Sequence, residues 1–201
     1  MPETTNAAPT AMRRLDHAAA KRLVRLVEAF DDLQTVLSCC ERLVPKLVRT
    51  AGEPDDVGIE ALWTLALLSY ARSFAEKDGE VAVTVDDLSG KQAPDELQRW
   101  HRVLLHLRDQ HAALDVNPRE VYSVGVVQDQ HGAVEAVAVT SVRSPSVDEA
   151  SVRQAGAMAY SLCAVLDERI DALQKSILDD VRDTSKTALD ALDLIEVVTA
   201  I

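Results

Sequence analysis

Aromatic residues are scarce in this chain: phenylalanine, tryptophan and tyrosine together make 3% of it. The hydrophobic share of 47% is drawn mainly from Ala, Val and Leu, a mixture that suits closely packed helices. Glycine is scarce too, at seven residues, and none of it forms a phosphate-cradling loop. No Walker pattern, CxxC, HExxH or GxSxG occurs either, so the familiar nucleotide, zinc and serine-hydrolase signatures are excluded. The three cysteines do not make a disulfide framework or a metal-ligand spacing. Cys39, Cys40 and Cys163 fall within apolar helical pattern and read as small buried hydrophobes.

Positive charge is in the minority. There are 21 Lys and Arg against 33 Asp and Glu, for a net charge of −12. That excludes broad electrostatic binding to nucleic acid or to an acidic membrane surface, though not a local basic patch. No uncharged apolar run reaches the roughly 18 residues of a membrane span. The opening "MPETTNAAPTAMRR" lacks the apolar core of a secretory signal. The protein is expected to be cytoplasmic, with no membrane contact, no cofactor and no metal.

What is present is mostly helical period. At 201 residues the chain has room for one domain with a sizeable core. Residues 1–13 have no period and read as a disordered tail. From Leu15 to Thr50, Leu23, Leu26, Val27, Phe30, Leu33, Val36 and Leu37 recur at three and four. Pro45 is expected to bend this helix or begin its last piece. A second helix is expected over 57–78, apolar on most sides between Leu62 and Leu68 and therefore central, with Gly79 as its stop. "EVAVTVDDLSGKQ" reads as a strand scrap or a loop. Pro94, Asp95 and Glu96 open a third helix that runs to about Ala113, with Trp100, Val103, Leu104, Leu107, His111 and Leu114 as its apolar stripe.

After "DVNP" the period changes from 3.6 to 2. "VYSVGVVQ" and "AVEAVAVTSV" are β-rich runs joined by "DQHG", a hairpin at about 120–143 with its turn at Asp129 to Gly132. A long helix follows from about Val147 to beyond Asp180, with Ser146 as expected N-cap and Glu149 completing a capping box. Thr184 or Ser185 is expected to cap a further segment over 183–201. There Val181, Thr184, Ala188, Ala191, Ile195 and Val198 step by three and four, as in a heptad seam. The fold class is thus mainly α: a bundle of four or five helices over 14–182 with one inserted β-hairpin, a long C-terminal helix, and a helical segment after it.

The third helix carries the candidate chemistry. Arg99, His101, Arg102, His106, Arg108 and His111 crowd onto it. Its three histidines are spaced by five, which turns each by about 140° from the last, so they do not converge on a metal. His101, Arg108 and His111 share a side, with Asp115 one turn on. Such a strip can line a cleft, line a subunit interface, or simply be solvated. Arg108 with Asp109 or Asp115 also makes an ordinary helix-end ion pair. His111 on an apolar stripe is equally a packing residue, and Asn117 before Pro118 a turn residue.

The segments "LWTLALLSYARSF" and "WHRVLLHLRDQHAALDVNP", followed by a strand, resemble the HEPN superfamily, and more narrowly its abortive-infection and prophage-type members. The likeness covers about residues 55–128. It implies a small helical bundle, usually a homodimer, in a phage-defence or phage–host setting. Many members are metal-independent ribonucleases with an arginine, a polar residue and a histidine five to seven positions after the arginine. The arginine binds phosphate; the histidine moves the proton. Arg108 matches the arginine and Asp109 the polar residue. His111 matches an internal basic position of the narrower "R-D-K-H-x-A-H" pattern. The motif histidine falls at Leu114, which transfers no proton.

Three functions follow. The preferred one is a HEPN-like protein with a degenerate nuclease motif that acts by binding. Its partner is an unidentified protein, or RNA held weakly through Arg99, His101, Arg102, Asp115 and Asn117. The second is an active ribonuclease using Arg108, Asp109 and His111. The third is a helical assembly protein without catalytic ancestry, built on the C-terminal seam.

Overall fold

The computed structural model describes residues 12–48, 56–88, 94–144 and 146–195. The expectations for residues 1–11 and for Val198 lie outside them. The elements run α1 (Ala18–Val48), α2 (Asp56–Ser73), a 3-10 turn (Val85–Leu88), α3 (Pro94–Ala112), β1 (Glu120–Gln128), β2 (Val134–Arg143), α4 (Glu149–Arg182) and α5 (Lys186–Asp190). The expected class holds: a mainly α protein with one inserted hairpin and a long helix late in the chain.

α1 lies between α4 and α2, and α2 in turn packs on α3. The α1 stripe that faces these neighbours is Leu26, Ala29, Leu33, Val36, Cys40 and Leu43, all buried. Trp63, Ala66, Leu67 and Tyr70 answer it from α2, and Val152, Ala155, Met158, Ala159, Leu162 and Leu166 from α4. Alanines in that seam let the backbones approach, which is how a core with few aromatic rings still fills its space. Cys39, Cys40 and Cys163 are buried and unpaired, as expected. Burial, reinforced by the nearby Cys39 and Glu41, pushes the Cys40 thiol up to about 12, so it stays protonated and inert.

Several boundaries differ from the sequence reading. α1 continues through Pro45 to Val48 as one helix, although the proline has no N–H to give the Glu41 carbonyl. α2 stops at Ser73, not at Gly79. The reason is Arg25 of α1, whose buried guanidinium donates from Nη2 to the carbonyls of Arg72, Ser73 and Ala75 at 2.9, 3.1 and 2.7 Å. It satisfies carbonyls that a helix end leaves open and sets a cation at the negative end. Gly79 serves a tight turn instead: Asp78 and Gly79 have φ of 54° and 80°, and Lys77 and Glu80 exchange backbone hydrogen bonds across them. The loop after it is pinned on α4 by Arg169, which donates to the Ala82 carbonyl at 2.9 Å and forks onto Asp87. Burial alone would raise the Asp87 carboxyl; Arg169 and the Thr84 N–H outweigh it and hold it below the usual range.

α4 is capped by Asp148, which accepts from the Ser151 N–H at 2.7 Å, and not by Ser146. Ser185 does cap the next segment, but that helix ends at Asp190. The expected seam from Val181 to Ile195 is therefore not one helix face; the break at Asp183–Ser185 interrupts it. The chain beyond runs back to the start of the described residues. Arg14 N–H donates to the Asp193 carbonyl at 2.8 Å and Ile195 N–H to the Met12 carbonyl at 2.9 Å. Arg13 adds bonds to the carbonyls of Asp190 and Leu192. Met12 and Arg13, counted in the expected tail, are thus held in place.

The hairpin is built as its turn chemistry predicts. Asp129 Oδ1 accepts from the N–H groups of His131 and Ala133, both at 2.8 Å, and Gly132 takes φ of 83°. β1 and β2 pair antiparallel with Val124 opposite Val139, and a bulge falls near the turn at Val127/Gln128. Beyond the hairpin's root, nothing else among the described residues covers them. Val124, Val126, Val137 and Val139 on one face are exposed, and so are Val121 and Val142 on the other.

Candidate functional site

One polar ladder on α2 ties both the end of α3 and the root of the hairpin to the body. Asp56, Glu60 and Thr64 are spaced by four, so they share one side of a helix that is otherwise apolar as far as Leu68. Asp56 pairs with Arg143 at the end of β2, at 3.0 Å. Glu60 pairs with Arg119 just before β1, at 3.4 Å. Thr64 Oγ1 shares a hydrogen bond with His111 Nδ1 at 3.0 Å. Asn117 completes the junction. Its Oδ1 accepts from the Arg119 N–H at 2.9 Å and turns the chain from α3 into β1.

Around this ladder lies a cavity of about 660 Å³. Trp63, Ile59 and Leu107 give it apolar walls; His111, Asn117 and Asp148 are among its polar ones. Burial lowers the His111 imidazole below its usual value, and the neighbouring Glu60 opposes that only in part. At neutral pH it is therefore an uncharged hydrogen-bonding group.

The predicted site residues do not gather there. His111 and Asn117 line the cavity, whereas Arg108, Asp109, Arg99, Arg102, His101 and Asp115 do not. His101 is buried in the core, with Nδ1 2.9 Å from the Tyr70 hydroxyl and its ring packed on Phe74. Burial lowers its imidazole as well. Arg108 Nε stands 2.8 Å from Asp109 Oδ1, yet its N–H is not aimed at that oxygen and has no hydrogen-bond partner. Consecutive helical residues do not face each other, which accounts for the poor geometry. Arg99 donates to its own helix at the Asp95 carbonyl and is exposed, as are Arg102, Asp109 and Asp115. Leu114, at the motif histidine position, is past the end of α3 and fully exposed.

Glu60, Arg119 and Arg143 carry the junction, and sequence reasoning passed them over. The signal was present: Asp56, Glu60 and Thr64 are a regular polar stripe on the most apolar helix. Among the described residues no cluster of three or more His, Cys, Asp or Glu could hold a metal ion, and no helix is long and apolar enough to cross a membrane. Compared with known proteins, the chain matches no family model, no curated protein and no solved structure.

Proposed function

We propose that this chain works by binding rather than by catalysis: a HEPN-like helical body that presents its β-hairpin to a protein partner. The hairpin carries the reading. Isolated two-stranded hairpins are marginal in water, and exposed apolar clusters mark interaction surfaces. Here valines stand exposed on both faces of a hairpin rooted by two ion pairs to α2. The incomplete motif supports the same reading. His111 is turned to Thr64 and the cavity, while Arg108 stays outside it, so the two do not frame one phosphate. The phage-defence or phage–host setting rests on the sequence resemblance, and cytoplasmic location goes with it.

Two measurements test this. Purified protein and its Arg108→Ala variant are incubated with total RNA and tRNA. No cleavage by either is the expected result; cleavage lost in the variant overturns the proposal and restores the ribonuclease reading. A photo-crosslinking residue is then placed at Val124 or Val137, with exposed Leu178 on α4 as control. Protein adducts at the hairpin and not at Leu178 are expected. Adducts to RNA alone would move the partner to the nucleic-acid class.

A further inference from the structure

We infer that the hairpin's partner is a second copy of this chain, joined edge to edge through β2; the inference rests on the binding reading above. Among the described residues β1 and β2 pair only with each other, so within them each strand keeps one open edge. Two bonds at opposite ends of the ladder fix which backbone groups face outward. Asp129 N–H donates to the Ala133 carbonyl at 2.9 Å, and Ser144 N–H to the Arg119 carbonyl at 2.7 Å. Antiparallel bonding alternates, so Val137, Val139 and Ser141 of β2 turn their N–H and C=O groups away from β1.

Open edges are normally guarded by lysine, proline or an inward charge. Here the bulge at Glu135 disturbs only the turn end: from Ala136 to Val142 the edge is regular, with no charged residue and no proline. The charges of β2 are Glu135 and Arg143, which flank Val139 at equal distance and carry opposite sign. Glu135 is the extra residue of the bulge, unpaired with β1, so a two-fold axis through Val139 brings it close to Arg143 of the other copy, twice over, at the ends of the regular stretch. It also sets Val139 against Val139 and Val137 against Ser141, with their outward N–H and C=O groups facing. The same operation on β1 gains no such pair, because Glu120 is its sole charge. Arg143 stays exposed while one nitrogen of its guanidinium holds Asp56 at 3.0 Å, and its other N–H donors can face the second copy.

The charge of −12 does not forbid this dimer. Antiparallel edges send the two helical bodies to opposite ends of a four-stranded sheet. A strand of ten residues spans about 30 Å, several times the screening length of about 8 Å at physiological salt.

The test is sedimentation equilibrium on the full chain, with Glu135→Arg, Arg143→Glu, the two combined, and Val139→Pro. The wild type is expected to dimerise. Each single reversal brings like charges close and is expected to raise Kd about tenfold or more; the combined reversal restores the wild-type value within a few-fold. Val139→Pro removes an outward N–H and gives a monomer whose helical circular dichroism and melting are unchanged. A wild type that is monomeric at every concentration overturns the inference. So does a dimer indifferent to these changes. A monomer that still crosslinks another protein through Val124 or Val137 leaves the binding reading standing without this one; a monomer that crosslinks nothing removes both.

Discussion

The helical body and the hairpin use similar residues to opposite ends. Both are rich in aliphatic side chains, yet the body hides Leu33, Leu67, Leu162 and Leu166 almost completely while the hairpin shows its valines to solvent. The difference lies in periodicity. In α1 the apolar positions select one face, and one face can be buried by neighbours from the same chain. In β1 valines stand at both parities, Val121 and Val127 on one face, Val124 and Val126 on the other. Such strands occur where both faces are covered. Among the described residues nothing covers either face, so these valines meet solvent where those of the body meet their neighbours.

That contrast can be broken in several ways, and the largest effects belong to the body. Leu33→Ala or Leu166→Ala is expected to lose about 2–5 kcal/mol in urea melts, because each leaves a cavity among packed helices. A loss below about 1 kcal/mol would mean that the body is as loosely packed as the hairpin. Arg25→Met should cost about 1–3 kcal/mol, since the carbonyls of Arg72, Ser73 and Ala75 lose their buried donor. Hydrogen exchange should locate the change at the end of α2.

Acid sharpens the comparison next. Folded His101 and His111 bind protons less readily than the usual imidazole, whose value is 6.5. Below that value the unfolded chain takes up protons that the folded body refuses. Stability therefore falls as pH drops from 6.5 toward the lowered folded values, and is flat above. His111→Gln should soften this slope in thermal melts at pH 7.5 and 5.5, while hairpin variants leave it untouched. The smallest effect is expected at the hairpin itself: Val124→Ala should change body stability by no more than about 0.5 kcal/mol.

Local chemistry was legible in the sequence and distant contact was not. "DQHG" announced the turn because Asp129 and Gly132 do their work within four residues. α3 ended near where the residues before Pro118 implied. The end of α2 was misjudged because its cap, Arg25, stands 47 residues away from Arg72 in sequence. Asp148 outcompeted Ser146 as cap for a subtler reason: both are good capping residues, and only the backbone path after β2 decides between them. The strip of His101, Arg108 and His111 looked like one side of a helix. Tyr70 draws the first into the core and Thr64 draws the last to the cavity, and neither partner can be read from α3 alone.

The clasp between residues 12–14 and 193–195 has a consequence for how the protein folds. Arg13 and Leu192 are 179 residues apart in sequence, so their bond closes nearly the whole described chain into a ring. Ring closure of that length is entropically costly until the intervening helices have docked and brought both strands of the clasp together. The clasp is thus a late event on the folding route and an early one on the way out, a latch whose amide protons should exchange with solvent well before those of α1 and α4.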